Sequence, residues 1–207
     1  MPHNALIGKT RCGKTSLAIV LAADLKRRGI GVAVLDPFFN KWPCQFQTSD
    51  PEQFLQALPR IVDTRKRWAL FVDESSHALD RHDPRMSFLG TGAAQAGLVT
   101  YFLAQRDRQL NPEVRNSIET WWIFNNADAS RMASDLDAQQ IANVRSFPKG
   151  RFYLYRPFRP LIEGQLSWGR KTTVALKLAP TSTDESSERK SRGAHDVRRG
   201  QTTPLAD

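Results

Sequence analysis

Gly8-Lys9-Thr10-Arg11-Cys12-Gly13-Lys14-Thr15 is the stretch that decides the fold of this 207-residue chain. It matches the pattern G-x-x-x-x-G-K-[ST], in which backbone N–H groups surround phosphates and the lysine reaches the β- and γ-phosphates. The apolar run Ala5-Leu6-Ile7 precedes it, and apolar residues at helical spacing follow it. This order suits a phosphate loop because a helix N-terminus attracts anions. The sequence therefore predicts a nucleotide-binding P-loop domain.

The loop also predicts a role for each of its residues. Lys14 is expected to act on the β- and γ-phosphates of ATP, and Thr15 is expected to ligate Mg²⁺. We interpret Lys9 and Arg11 as mainly solvated, with contact to a phosphate or a neighbouring subunit as the alternative. The predicted nucleotide-binding residues are Gly8, Lys9, Thr10, Arg11, Cys12, Gly13, Lys14, Thr15 and Ser16.

A second motif lies where the apolar run 68–72 ends in Asp73 and Glu74. Asp73 is expected to hold Mg²⁺, and Glu74 is placed to polarise an attacking water, which favours hydrolysis over phosphoryl transfer to another acceptor. Gln105 follows the β-rich run 98–104 and is expected to sense the γ-phosphate or orient that water. The predicted catalytic residues are therefore Glu74, Gln105 and Lys14. A solvated turn at 73–74 and a polar strand end at Gln105 are the alternatives.

Hydrophobic patterning extends the fold prediction along the chain. Nearly continuous apolar runs are typical of parallel strands buried on both faces. The predicted strands are 5–7, 31–36, 68–74, 98–104, 120–124 and a last one at 151–155, and the predicted helices are 15–28, 51–64 and 128–144. This alternation predicts an α/β fold with a mostly parallel central sheet covered by helices on both faces. Together with the phosphate loop, it resembles the three-layer P-loop NTPases of the RecA-like (ASCE) type.

The formal charge of +9 favours a polyanionic partner. Residues 180–207 hold equal numbers of basic and acidic residues and almost no large apolar ones, so they are expected to form a disordered polar tail after an ATPase domain at 1–179. Residues 145–177 hold eight basic residues and a single acid, Glu163. The candidate DNA-binding residues are Lys149, Arg151, Arg156, Arg159, Arg170 and Lys171. The alternative is that these charges keep an edge strand soluble.

Other side chains predict less. The only two cysteines, Cys12 and Cys44, cannot form the disulfide framework of a small secreted domain, and we expect both to be free and unreactive. Trp121 and Trp122 lie within a strand and are expected to pack in the core, with base stacking as the alternative.

The apolar runs fall short of the roughly 20 residues that span a bilayer, and no signal-like segment begins the chain. We therefore expect no stable transmembrane insertion.

Four separate pieces of the chain resemble the FtsK/HerA superfamily of DNA-pumping ATPases, in particular the genome-packaging ATPases of membrane-containing icosahedral viruses. They are the loop 8–15, the strand end 34–37, the segment 71–74 with His77 after it, and 102–106 followed by Leu110, Val114 and Asn116. The order and spacing of these pieces, which span residues 4–155, support the resemblance.

The resemblance implies a ring, hexameric or pentameric, that uses ATP and Mg²⁺ to translocate double-stranded DNA into a preformed capsid. It also implies an arginine that reaches the γ-phosphate of the neighbouring subunit. Many relatives carry a basic residue before the strand that ends in Gln105, whereas this chain has Ala93-Ala94-Gln95-Ala96 there. The candidates for this arginine are therefore Arg106, Arg115, Arg85 and Arg131.

The resemblance also implies a location in the host cytoplasm or at a packaging vertex of the virion, with capsid-vertex or inner-membrane proteins as further partners. An assembly ATPase like the zonula-occludens-toxin-like proteins of filamentous phages is one alternative function. A small-molecule kinase is a second. A nucleotide-dependent scaffold that scarcely hydrolyses ATP is a third.

Overall fold

A central sheet forms the middle layer of the domain. The computed structural model describes residues 3–74, 85, 88–126, 136–169 and 172–179. Within those residues the sheet has nine strands in the order β3-β2-β4-β5-β1-β6-β7-β8-β9. The first six strands of this order are parallel, and β7, β8 and β9 extend the sheet in antiparallel fashion. The predicted three-layer α/β class is confirmed.

The strands are β1 (His3–Ile7), β2 (Gly31–Leu35), β3 (Phe46–Thr48), β4 (Trp68–Val72), β5 (Leu98–Ala104), β6 (Ile118–Ile123), β7 (Arg151–Tyr155), β8 (Ile162–Ser167) and β9 (Thr173–Leu178). The α-helices are α1 (Lys14–Arg27), α2 (Pro51–Asp63), α3 (Ala93–Gln95), α4 (Pro112–Asn116) and α5 (Ala138–Ser146). A π-helical turn covers Phe88–Gly92 and a 3-10 turn covers Asp107–Gln109. None of the described helices is both long and apolar enough to cross a membrane.

Both faces of the sheet are buried, which explains the continuous apolar runs in its strands. Ala5 and Ile7 of β1 face one hydrophobic cluster, whereas Leu6 faces the other. Helix α2 covers the first face with Phe54, Leu58 and Ile61. Helix α1 covers the second face with Leu17, Ala18 and Ala22. Burial on both faces therefore fixes the three-layer arrangement.

The C-terminal part of the sheet differs from the prediction. The prediction of a last strand at 151–155 was wrong, because β8 and β9 follow it, and β3 was not predicted. Strand β8 contains Glu163 and Gly164, which interrupt its apolar pattern. Glu163 is nevertheless buried, since Arg151 and Lys177 form ion pairs with it at 2.7 and 3.4 Å. Strand β9 is largely exposed and so has a weak apolar signal.

Several other predictions concern parts of the chain that the structure describes incompletely. The predicted helix 128–144 is described only from residue 136, and it is helical over Ala138–Ser146. His77 and the tail 180–207 lie outside the described residues. Trp121 is buried in the core, and the half-buried Trp122 packs against Phe152 with ring centroids 5.6 Å apart, so core packing of this pair is confirmed.

Gly164 offers a test of the packing on the α1 face. It pairs with Phe152 across β7 and β8, and a Cβ atom at Gly164 would lie 2.1 Å from Cζ of the fully buried Phe152 ring. Gly164→Ala is therefore expected to lower the free energy of unfolding by about 1–3 kcal/mol, the usual cost of overpacking. Urea denaturation measures this change, and Thr173→Ala on the exposed β9 serves as the control. An unchanged or higher stability of Gly164→Ala would contradict this packing.

Candidate functional site

The loops that follow β1, β4 and β5 meet at one edge of the sheet. These strands are parallel neighbours, with β5 between β1 and β4. Ile7 pairs with Ala104, and Val72 pairs with Phe102, so the three strands end at nearly the same level. The segments that begin at Gly8, Asp73 and Gln105 therefore converge. Ligands of open α/β sheets bind outside this carboxyl edge.

The phosphate loop wraps around the side chain of Lys14. Its ammonium donates hydrogen bonds to the carbonyl oxygens of Gly8 at 2.8 Å and Lys9 at 3.0 Å. An ammonium has three N–H donors, so one is left for a phosphate oxygen while the loop holds the lysine in place. Gly13 has φ of 115° immediately before α1, a conformation that glycine adopts without a steric penalty. The loop thus turns directly into the helix N-terminus.

The remaining loop residues differ in their surroundings. Lys9 and Arg11 are exposed, as expected for solvated cations. Cys12 is buried, and burial is the largest cause of the raised pKa of its thiol, so little of it is in the reactive thiolate form. The Ser16 hydroxyl lies at the start of α1 and accepts a long hydrogen bond of 3.5 Å from Nε1 of Trp168.

Thr15 and Asp73 are brought together from positions 58 residues apart in the chain. The Thr15 hydroxyl donates to Oδ2 of Asp73 at 3.0 Å. Asp73 is 2% exposed, and burial is the main cause of a pKa raised from 3.8 to about 6, with the nearby charge of Asp36 contributing in the same direction. A hydroxyl and a carboxylate are the oxygen ligands that Mg²⁺ accepts. The pair fits this ion, because a nearby divalent cation would stabilise the buried carboxylate in its charged form.

Glu74 has an unusual backbone and a carboxylate oxygen without a partner. Its φ of 44° lies in the left-handed region, which non-glycine residues rarely adopt, and its N–H donates to Oδ1 of Asp73 at 2.9 Å. Within the described part of the chain, Oε2 of Glu74 is buried and has no hydrogen-bond partner. Strained residues with unsatisfied polar atoms are concentrated at functional sites. Glu74 therefore has a carboxylate oxygen available to a ligand.

A cavity of about 350 Å³ lies beside the loop and is lined by Lys9, Thr10, Gln105, Arg106 and Asn126. The side chain of Gln109 holds the backbone of two lining residues in place, since its Oε1 accepts from the N–H groups of Gln105 at 3.0 Å and Arg106 at 2.9 Å. Gln105 thus lies at the carboxyl edge beside the loop, as the sequence predicts. The cavity has a mainly polar set of lining residues, which suits an anionic ligand.

Sequence reasoning missed three residues of this site. Asn126 lines the cavity, and the neighbouring Asn125 accepts from the Lys9 N–H at 2.9 Å through its carbonyl oxygen. Gln109 supports the Gln105 turn. The signal for the two asparagines was present, because they follow β6 at the same sheet edge as Gln105. Gln109 had no signal in the sequence, since its role depends on the turn conformation.

Asp36, from the strand end 34–37, anchors the segment that follows β2 through its side-chain carboxylate. Its buried carboxylate accepts hydrogen bonds from the backbone N–H groups of Phe38 and Asn40 and from the side chains of Asn40 and Trp42, at 2.7 to 3.0 Å. These bonds hold the segment that follows β2, in which Phe38 and Phe39 are exposed. The role of Asp36 is therefore structural, apart from its effect on the pKa of Asp73.

The candidate arginines for a contact between subunits have different surroundings. Arg85 binds both carboxylate oxygens of Glu52 at 2.8 Å. Arg106 lines the cavity of its own chain, and Arg115 lies 3.7 Å from the carboxylate of Asp107. Arg131 lies outside the described residues. The choice among the four stays a prediction.

The candidate DNA-binding residues are divided between two edges of the sheet. Lys149 precedes β7 at the carboxyl edge, beside the phosphate loop, whereas Arg156 and Arg159 lie in the turn after β7 at the opposite edge. Arg151 is paired with Glu163. Arg170 and Lys171 lie outside the described residues. The described candidates Lys149, Arg156 and Arg159 are therefore divided between two edges of the sheet, and the contact of the basic residues with DNA stays a prediction.

Several solved structures resemble this one. The genome packaging NTPase B204 from Sulfolobus turreted icosahedral virus 2, in complex with AMPPCP, has a TM-score of 0.62 and 17% identity, covering 87% of this chain and 97% of that one. The pCW3 conjugation coupling protein TcpA has a TM-score of 0.57 and 15% identity, covering 92% of this chain and 65% of that one. The cytoplasmic domain of the type VII secretion ATPase EccC from Thermomonospora curvata has a TM-score of 0.60 and 13% identity, covering 87% of this chain and 24% of that one.

No protein-family model and no curated protein sequence matches the chain. At these identities the structural likeness shows the fold alone. The chain has the fold of P-loop ATPases, which it shares with a viral genome packaging NTPase, a conjugation coupling protein and a type VII secretion ATPase, so the resemblance indicated by the motifs is confirmed at the level of the fold.

Asp73 leads to a prediction about stability and pH. Its raised pKa means that folding in Mg²⁺-free buffer carries the cost of burying a charge above about pH 6, a cost that disappears as the pH falls towards 4. Asp73→Asn is therefore expected to raise the free energy of unfolding by about 2–3 kcal/mol at pH 7.5, since one pKa unit corresponds to about 1.4 kcal/mol. The asparagine can still accept from the Glu74 N–H and donate to the Thr15 hydroxyl.

Urea denaturation of both proteins in EDTA at pH 7.5 and pH 4 measures this effect. The stability difference is expected at pH 7.5 and should vanish at pH 4. Asp137→Ala, at the N-cap of α5, is the contrasting control, because the Asp137 carboxylate accepts the N–H of Gln140 at 2.7 Å and loss of this cap should destabilise the protein. If Asp73→Asn is less stable than the wild type at pH 7.5, the buried Asp73 carboxylate does not destabilise the fold, and this prediction is wrong.

Proposed function

We propose that this chain is a Mg²⁺-dependent ATPase whose hydrolysis drives translocation of double-stranded DNA and packages a viral genome into a preformed capsid. The observation that carries the hydrolytic part is the Thr15–Asp73 hydrogen bond of 3.0 Å, with the unpartnered Glu74 carboxylate oxygen directly after it. One proposed metal ligand, Asp73, and the proposed general base, Glu74, thus follow one another after β4, and the second metal ligand, Thr15, lies in the first turn of α1.

In the proposed mechanism, the backbone N–H groups of residues 8–15 and the Lys14 ammonium hold the triphosphate. Thr15 and Asp73 would hold Mg²⁺, which would supply positive charge to offset the negative charge of the phosphates. Glu74 accepts the proton of the attacking water at its free carboxylate oxygen, and Gln105 orients that water from the end of β5. Gln109 fixes the position of Gln105 through the backbone of its turn.

Charge and comparison support the DNA part of the proposal. The chain carries a net charge of +9, and one structural neighbour is described as a genome packaging NTPase. The turn between β7 and β8 offers a specific contact, because Arg156 and Arg159 flank Phe158, which is 99% exposed. Arginines bind phosphates, and exposed aromatic side chains contact bases. A homo-oligomeric ring with an arginine acting across its interfaces completes the proposal, with the same four candidates for that arginine.

Glu74→Gln tests hydrolysis. The variant keeps the shape of the side chain but cannot accept a proton, so kcat for ATP is expected to fall about 100-fold or more. The Kd for ATP should stay within about threefold, because Glu74 does not hold the phosphates. Steady-state phosphate release and equilibrium ATP binding measure the two quantities, and Glu119→Gln at an exposed position of β6 is the control. If Glu74→Gln hydrolyses ATP at the wild-type rate, Glu74 is not the general base. A wild-type protein that binds ATP but scarcely hydrolyses it would make the scaffold function the better proposal.

Arg156→Ala combined with Arg159→Ala tests the DNA contact. Loss of two phosphate contacts is expected to weaken duplex binding and to reduce the slope of log Kd against log salt by about two. Fluorescence anisotropy over a salt series measures both effects, and the ATPase rate with and without duplex DNA measures coupling. Arg27→Ala with Arg28→Ala removes the same charge from ion pairs to Asp24 and is the matched control. Equal effects of the two double variants would show that only net charge matters, against a specific contact at this turn.

A further inference from the structure

The indole of Trp168 lies beside the phosphate loop, although the residue is far from it in the sequence. Trp168 follows β8, and its Nε1 donates to the Ser16 hydroxyl at 3.5 Å. Trp168 is 44% exposed, whereas tryptophan residues are on average highly buried. An exposed aromatic ring is therefore held next to the first turn of α1.

Gly150 makes this position of the indole possible, and a Cβ atom at Gly13 would lie at ordinary contact distance from the ring. A Cβ atom at Gly150 would lie 2.5 Å from Cη2 of Trp168, and one at Gly13 would lie 3.5 Å from Cζ2. Gly150 has φ of 85°, and its N–H donates to the carbonyl oxygen of Cys12 at 2.8 Å. The ring thus rests on bare backbone that is itself bonded to the phosphate loop. The position of the ring is therefore fixed relative to the phosphate loop.

The direction of a bound nucleotide follows from the order of the strands. Asp73 and Glu74 mark the γ-phosphate end, and they follow β4, which lies on one side of β1. Trp168 follows β8, which lies on the other side of β1. Because the loop between them surrounds the α- and β-phosphates, the nucleoside leaves the loop on the side away from Asp73. That side carries Ser16 and Trp168.

We propose that Trp168 is the platform on which the base of the nucleotide stacks, which rests on the proposed binding of ATP at this loop. Aromatic side chains stack on nucleobases, since every base has a π-face. The Lys149 ammonium lies 4.9 Å from the centre of the indole ring and is itself exposed. A cation–π contact at an exposed site is weak, so a base can replace this ammonium on the ring. Trp168 then contributes affinity for the nucleoside, whereas residues 8–15 hold the phosphates.

Binding of ATP and of inorganic triphosphate separates these two contributions. Trp168→Ala is expected to raise the Kd for ATP roughly tenfold or more, the effect of losing a base–aromatic stack, and to leave the Kd for inorganic triphosphate unchanged. Trp168→Phe keeps an aromatic face and should stay within about threefold of wild type for both ligands. Isothermal titration calorimetry with Mg²⁺ present measures all of these constants. Leu178→Ala, which removes an exposed apolar side chain at the opposite edge of the sheet, is the control.

Each outcome is decisive. A loss of ATP affinity confined to Trp168→Ala, with triphosphate binding intact, supports the platform. An equal rise in the Kd values for ATP and triphosphate would show that the indole only supports the loop. An unchanged Kd for ATP would show that the indole has no role in binding. Either result overturns this inference but leaves ATP binding by the loop unaffected. A wild-type protein that binds neither ligand would overturn the proposed function and this inference with it.

Discussion

The hydrogen bond from the Thr15 hydroxyl to the Asp73 carboxylate joins the two halves of the candidate site. It connects the first turn of α1 to the end of β4, and it can form only because β1, β5 and β4 are parallel and end at the same level. The carboxylate is buried at a cost, which its raised pKa reflects. Such a cost is typical of functional sites, and here it is placed where a divalent cation would offset it.

The sequence predicted the parts of the fold in which local pattern and tertiary burial agree. The runs in β1, β2, β4 and β5 are almost continuously apolar because both faces of the sheet are covered, and the strand β5 matches its predicted bounds. Strand β8 escaped prediction because its buried Glu163 depends on Arg151 and Lys177, which come from other strands. Long-range ion pairs of this kind leave no periodic signal in a single segment.

The candidate site shows the same division. Lys14, Thr15 and Asp73 belong to motifs whose chemistry is local, and the structure brings them together as those motifs imply. Gln109 and Trp168 reach the site through tertiary placement alone, since one depends on a 3-10 turn and the other on an antiparallel extension of the sheet. Charge counting was less informative, because Lys149 lies at one edge of the sheet, Arg156 and Arg159 lie at the other, and both Arg151 and Lys177 pair with Glu163.

The hairpin formed by β7 and β8 spans the distance between those edges. Strand β7 begins beside Gly150, which is bonded to the phosphate loop, and ends at the turn that carries Arg156 and Arg159. Five strand residues cover about 16 Å. Strand β8 returns across the sheet to Trp168. One hydrogen-bonded hairpin therefore joins the proposed nucleotide contact at one end to the proposed DNA contact at the other.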